Sequence, residues 1–244
     1  MVPAHHLRPR RVHRLRRRHP AESTDTDVRI GTLGSGSDYT PFIQHLGVPS
    51  TDIGSEGPYG VYHSVFDNYN WFIKFADPTF VYEQQQARVF GLEILHMADA
   101  EVLPYDYELY GKEVLSYVES AQHRSNTANL QLDFIAALAA AHRFAAAGIA
   151  IRTRQENPPP DPTTLNQALR AAEEALLNPA GLPQRPWFKH TIYAPGEFTG
   201  YAAIVIPGVN EAIDVPDVAR AHEQLAVLAQ ALNRSAAVLE TAAK

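Results

Sequence analysis

The stretch Leu130-Gln-Leu-Asp-Phe-Ile-Ala-Ala-Leu-Ala-Ala-Ala-His-Arg-Phe-Ala-Ala-Ala-Gly-Ile-Ala-Ile-Arg-Thr153 decides the fold of the second half of the chain. Alanine carries the lowest cost of any residue in a helix, and Phe134, Leu138 and Phe144 recur among the alanines at helical spacing. The small side chains between them let neighbouring helices approach closely. Neighbours are present on both sides. Tyr105 to Ala121, Thr163 to Leu177 and Val215 to Ala243 read as further helices, and Asn157-Pro-Pro-Pro-Asp-Pro separates the second from the third. An all-α four-helix bundle over residues 101–244 is the expected product, with a loop of about thirty residues from Asn178 to Gly208. A loop of that length is expected to be functional or held by a partner.

Upstream the pattern changes. Val28 to Leu33 reads as a short strand ending in the Gly34-Ser35-Gly36 turn, and Asp38 can cap a helix from Tyr39 to Leu46. A second short strand starts at Gly47, Gly54 to Gly60 is loop, and Asp77-Pro78 opens a long helix from Thr79 to Ala98. Strand, turn and helix in that order predict a piece of an α/β domain over residues 28–100, whose ligands would sit at strand C-terminal ends. Pro104 marks the boundary with the helical part.

The first 27 residues differ from both. Seven of the chain's 21 basic residues, all arginine, fall within Arg8 to Arg18, and no acidic residue precedes Glu22. A nucleic-acid arm and a solvated, disordered segment both fit such a run, and disorder is the expectation. The body then has 14 basic against 27 acidic residues, a net charge of −13, which argues against nucleic acid or an anionic membrane as its partner. No apolar h-region follows the arginines, as a secretory signal would require, and no run approaches 18 apolar residues. A soluble chain is expected. With no cysteine there is neither a disulfide nor a thiolate metal site.

Chemistry concentrates in Gly57-Pro-Tyr-Gly-Val-Tyr-His-Ser-Val-Phe-Asp-Asn-Tyr69. A neutral imidazole at His63 can bind a metal through one nitrogen while the other donates to a carboxylate or carbonyl, and Tyr62 can donate to an oxyanion. A hydrogen-bonded structural histidine fits the same residues. Gly34 to Asp38 offers backbone N–H groups to a ligand, but Gly-Ser-Gly turns also precede helices for purely structural reasons. No lysine follows the glycines, so a phosphate loop is not indicated.

Taken in order, Gly34-Ser-Gly-Ser-Asp-Tyr39 with Phe42, Tyr62-His63-Ser64-Val65, Lys74-Phe75-Ala76-Asp77-Pro78, Val102-Leu-Pro-Tyr-Asp106, Gly181-Leu-Pro-Gln-Arg-Pro-Trp-Phe-Lys-His190, Ile192-Tyr-Ala-Pro195 and Pro207-Gly208 resemble the C-terminal part of the glutamate carboxypeptidase and transferrin receptor family. The resemblance runs from Val28 to the C-terminus. It implies the last piece of an α/β zinc peptidase domain, then the family's helical dimerisation domain. It also implies a peptide substrate, two zinc ions in the parent enzymes, and a homodimer through residues 101–244.

Residue by residue, the resemblance places His63 at the last zinc-binding histidine and Tyr62 beside the reaction intermediate. Gly36 and Ser37 fall in a substrate-contacting turn, and Tyr201 at a tyrosine that holds the substrate's C-terminal carboxylate. The lysine that precedes that tyrosine in glutamate-specific members is Gly200 here, which implies weaker selection for glutamate. The other zinc ligands and the general base lie upstream of the matched segment in such enzymes, and nothing in residues 1–27 replaces them. A zinc site needs three or four ligands, so the expectation is a catalytically incomplete chain that holds no stoichiometric zinc alone. The alternative is a non-catalytic homodimerisation module. The apolar faces of Leu130 to Ala150 and Leu225 to Leu239 are the expected contact surfaces.

Overall fold

The structure, a computed structural model, describes residues 31–33, 36–54, 57–200 and 202–244. The molecule is mostly helical, with one two-stranded sheet among the described residues. Four long helices build its body: α3 (Tyr107–Thr127), α4 (Ile135–Glu156), α5 (Thr163–Glu174) and α7 (Val218–Ala242). Aspartates set their starts. Asp106 accepts from Leu109 N, Asp161 from Thr163 N and Asp217 from Arg220 N, each satisfying an N–H that the first turn leaves without a partner.

Helix α4 packs against α3 on one side and α7 on the other, and α5 packs against α7. The buried face of α4 is Ala137, Ala140, Ala141, Phe144, Ala147, Gly148 and Ile151. Residues such as Phe144 and Ile151, fully enclosed, each contribute roughly 1.5–3 kcal/mol by leaving water. From α7, Leu225, Leu228, Leu232 and Leu239 fill the same core. Two side-chain bonds lock α5 in place, from the Tyr107 hydroxyl to the Leu169 carbonyl (2.6 Å) and from Ser235 Oγ to the Ala172 carbonyl (2.7 Å).

Helix α4 is long and apolar enough, by length and composition, to cross a membrane, although no uninterrupted apolar run in it has that length. Its buried residues are packed against protein.

The expected C-terminal helix from Val215 to Ala243 is α7 (Val218–Ala242), which starts at the Asp217 cap just after Pro216, a residue with no N–H to offer. A short helix not expected from the sequence, α6 (Pro207–Asp214), precedes it. The expected thirty-residue loop also carries structure. Strand β1 (Tyr193–Pro195) pairs antiparallel with β2 (Ala203–Val205), in the register Tyr193–Val205, Ala194–Ile204 and Pro195–Ala203.

Upstream of Glu101 the α/β expectation is not met: the described residues before Glu101 contain no strand. Thr32 and Leu33 belong to no element, and the segment from Gly47 pairs with no strand among the described residues: Gly47 and Val48 N donate back to the Ile43 and Phe42 carbonyls, and the Ile53 carbonyl accepts from Gln86 Nε2. The rest of the expected first strand lies outside the described residues. The helical expectations there hold better. Helical turns cover Thr40–Leu46, the last five residues in a wider π-type turn. Helix α1 (Tyr69–Trp71) runs into another such turn at Phe72–Ala76. The expected helix from Thr79 is α2 (Val81–Ala98), started by Asp77, whose carboxylate accepts from Val81, Tyr82 and Glu83 N at 2.8–3.0 Å.

Gln44 fastens the first of these turns to the body. Its Nε2 donates to the Tyr193 carbonyl (2.6 Å), and its carbonyl accepts from Lys189 N (3.0 Å).

Candidate functional site

Tyr62 and His63 stand in the turn between Val61 and Asn68, where Ser64 N donates to the Val61 carbonyl and Asp67 N to the Ser64 carbonyl. Both side chains are exposed, and their rings stack at 3.8 Å between centroids and 21° between planes. His63 has φ of +60°, the left-handed region that costs a residue with a β-carbon roughly 1–2 kcal/mol. A non-glycine held there is the kind of local strain that functional positions carry.

Gly36 and Ser37 are exposed at the next turn upstream. Gly36 takes φ of +84°, and the Ser37 carbonyl accepts from Thr40 N at 3.1 Å. The ring stack joins Tyr62 to His63. Tyr201 lies outside the described residues; Gly200 beside it has φ of +63° and open space where a β-carbon would stand.

Among the described residues no three His, Cys, Asp or Glu side chains gather closely enough to hold a metal ion. His63 with Tyr62 does not make a metal centre, since a zinc site takes three or four donors.

The sequence reading missed a buried polar cluster under the β1–β2 hairpin. Arg185 donates from Nη2 to both oxygens of Glu211 at 2.7 and 2.6 Å, and from Nη1 to the Pro195 carbonyl. Glu211 also accepts from Glu197 N at 2.8 Å. Arg220 closes the ring, donating to Glu197 at 2.9 Å and standing 3.5 Å from Glu211. Two cations and two carboxylates thus neutralise one another where the Arg185 and Glu211 side chains are 8% and 5% exposed. Burial raises the Glu211 carboxyl above its ordinary value, opposed by the Glu197 N–H and by Arg185. The cluster fixes the backbone at Pro195 and Glu197, hence the hairpin that leads to Gly200. A lone charged residue, Glu211, in the largely apolar run Ile204 to Ile213 was the available signal.

A second buried pair sits beside it. His190 Nδ1 accepts from Ile192 N and Tyr193 N, which leaves the proton on Nε2 to donate to Glu173 at 2.8 Å. Tyr110 and Tyr193 stack at 6.0 Å, and Tyr117 donates to Glu113 at 2.7 Å. Burial pushes the Tyr117 hydroxyl up to about 12, helped by that carboxylate, and raises Tyr107, Tyr110 and Tyr193 further. These groups are structural: they lock the hairpin onto α3 and α5.

Comparison with known proteins follows the same division. The profile of the transferrin receptor-like dimerisation domain matches residues 119–240. A probable glutamate carboxypeptidase of Arabidopsis thaliana is 36% identical over 192 residues, 79% of this chain and 28% of that protein. A probable glutamate carboxypeptidase of Arthroderma benhamiae is 30% identical over 231 residues, covering 90% of this chain and 32% of its own. An aminopeptidase of Mus musculus is 31% identical over 232 residues, 86% of this chain and 31% of its own. The chain spans about a third or less of the length of these relatives.

Proposed function

The chain belongs to the glutamate carboxypeptidase and transferrin receptor family, and we propose that it is the C-terminal part of a peptidase of that family, dimerising but catalytically incomplete by itself. The carrying observation is the contrast between its two halves. Residues 101–244 supply all but Ile43 of a continuous buried core, which supports reading α3, α4, α5 and α7 as one four-helix bundle. Residues 36–98 present their chemistry, Tyr62 and His63, at an exposed turn with no companion ligands among the described residues. A boundary near Glu101 and the role of residues 28–100 as a peptidase-domain piece rest on the same contrast.

In this reading the missing zinc ligands and general base come from polypeptide that precedes Val28 in a complete enzyme. His63 then supplies one ligand and Tyr62 a hydrogen-bond donor toward the intermediate. Gly36 and Ser37 contact peptide substrate. The Arg185–Glu211–Arg220–Glu197 cluster holds the hairpin that delivers Tyr201, and Gly200 leaves the substrate's C-terminal side chain without a cationic partner. The enzyme would accept smaller or apolar C-terminal residues more readily than its glutamate-selective relatives.

Purified alone, the chain should carry no stoichiometric zinc by elemental analysis, hydrolyse no dipeptide, and sediment as a dimer. Stoichiometric zinc with turnover would refute the incomplete-enzyme reading. A non-catalytic dimerisation module shares the first three outcomes. It departs only when the preceding polypeptide of a relative is supplied in trans: restored hydrolysis that depends on His63 supports the peptidase reading.

A further inference from the structure

Most arginines of the helical body are committed to a partner. Arg124 pairs with Asp214, Arg143 with Glu240, Arg152 with Glu156, Arg185 with Glu211 and Arg220 with Glu197. Arg234 donates to the Ala175 and Leu177 carbonyls at the end of α5. Arg170 of α5 is different. It is exposed, and among the described residues it makes no ion pair and no side-chain hydrogen bond. Glu174 follows four residues later on the same side of the helix, exposed and equally without an ion pair among the described residues. Arginine before glutamate is the less favourable order for an intrahelical pair at that spacing, so the two charges have little to gain from each other.

Both charges border a groove of about 250 Å³ between α5 and the segment that leaves the first helical turn. The facing wall is Leu46, Val48 and Pro49, and Ala171 lies on the α5 side between the charges. Leu46 and Val48 are 60% and 42% exposed, apolar side chains that the chain leaves open to water. The wall is firmly placed. Gly47 has φ of +64°, and a β-carbon there would stand 2.6 Å from the Glu174 Cα, so backbone lies against backbone at that point. The two Gln44 bonds, to the Tyr193 carbonyl and from Lys189 N, anchor the turn just before it.

This arrangement selects a ligand by its chemistry. Sites for drug-sized ligands run to ~300–1,000 Å³, so the occupant here is smaller than those. The apolar wall takes an aliphatic body. An unpaired guanidinium takes a carboxylate, to which it can donate two parallel hydrogen bonds, and an unpaired carboxylate takes an ammonium. A free α-amino acid carries both charges on one carbon beside its side chain. A fatty acid or a phosphate would satisfy Arg170 but set a like charge against Glu174, and a simple amine would do the reverse.

We propose that the groove between α5 and the Leu46–Pro49 segment binds a free apolar α-amino acid, its carboxylate on Arg170, its ammonium on Glu174 and its side chain along Leu46, Val48 and Pro49. Neither Tyr62 nor His63 borders the groove, so this site is additional to the peptidase reading and independent of it.

L-leucine is the probe, followed by saturation-transfer difference NMR on the full chain. Exposed ion pairs each contribute little, so the signal should saturate with a midpoint at about 1 mM. Arg170→Gln and Glu174→Gln should each raise that midpoint about three- to fivefold, with helicity unchanged by circular dichroism. Altered ligands separate the two contacts. N-acetyl-L-leucine, which has no ammonium, should bind the wild type about three- to fivefold less well and lose nothing further to Glu174→Gln. L-leucinamide, which has no carboxylate, should likewise lose nothing to Arg170→Gln. A leucine signal that does not saturate would overturn the site. So would leucine binding that survives either substitution, or N-acetyl-L-leucine binding the wild type as well as leucine does.

Discussion

Gly111 of α3 packs directly against Ala145 of α4, so closely that a β-carbon at position 111 would stand 2.6 Å from the Ala145 Cα. One turn away Gly148 of α4 lies against the Tyr107 carbonyl, with no room for a side chain. Two backbones in contact along one crossing explain how α3 and α4 share so long an interface.

The Gly111 contact sets two effects against each other. Gly→Ala in a helix gains roughly 1 kcal/mol of intrinsic propensity. Overpacking a tight core costs about 1–3 kcal/mol, and here the obstacle is backbone, which cannot swing aside as a side chain can. The clash should win. Gly111→Ala is expected to lower stability by about 1 kcal/mol or more in urea unfolding, and a stabilised variant would show that the helices separate freely.

Glu211 gives a pH dependence with a definite sign. Its folded-state carboxyl is raised above 4.5 by burial, so the folded chain holds the proton more tightly than the unfolded chain does. Its contribution to stability is then fullest below about pH 4.5 and is lost as pH rises through the raised value. Glu211→Gln, which does not titrate and resembles the protonated carboxyl, should therefore gain stability relative to wild type as pH climbs through that window. Urea midpoints measured from pH 4 upward would show it, and a variant that loses ground to wild type as pH climbs would reverse the assignment.

Alkali should act through the tyrosines. Tyr117 is raised to about 12, and Tyr107, Tyr110 and Tyr193 also lie above their ordinary value of 10.0. The stability they contribute is intact below pH 10 and declines as pH climbs toward the folded-state values, because the unfolded chain ionises first. Ultraviolet titration should show the exposed phenols ionising near pH 10, followed by a later step that coincides with loss of helicity. Ionisation of all eleven tyrosines near pH 10 with the helices intact would contradict the buried cluster.

The strained turn makes a trade-off measurable. His63→Gly removes a β-carbon from φ of +60° and should stabilise the chain by a few tenths to about 1 kcal/mol. In a complete enzyme the same change should abolish hydrolysis. A destabilised His63→Gly would mean that the ring contributes more by packing on Tyr62 than its backbone costs.

Helix boundaries were legible in the sequence where capping chemistry marked them. Asp77 and the proline run after Asn157 placed the start of α2 and the end of α4 within a few residues, and the alanine spacing of α4 predicted its packed face. The start of the C-terminal helix was placed within three residues, whereas α6 was missed because its eight residues begin at the Pro207-Gly208 that read as the end of a loop. Strands upstream were the failure: extended sequence preference needs a paired neighbour, which no local pattern supplies. His63 and Tyr62 could be singled out because an isolated His-Tyr turn is locally conspicuous. The Arg185–Glu211 cluster could not, because its members are 26 residues apart in the chain and meet only through tertiary packing.

The bareness of α2 has a consequence for exchange with solvent. Asp77 secures three of its first N–H groups, yet none of its residues from Val81 to Ala98 is buried, whereas α4 encloses seven of its own. An unsupported helix of that length is marginal in water and opens by local fraying rather than by global unfolding. In deuterated buffer the amides of α2 should therefore exchange early and those of α4 last. Their protection should rise only when other polypeptide lies along Tyr82, Phe90 and Leu92, so that α2 reports, amide by amide, whether that surface is covered.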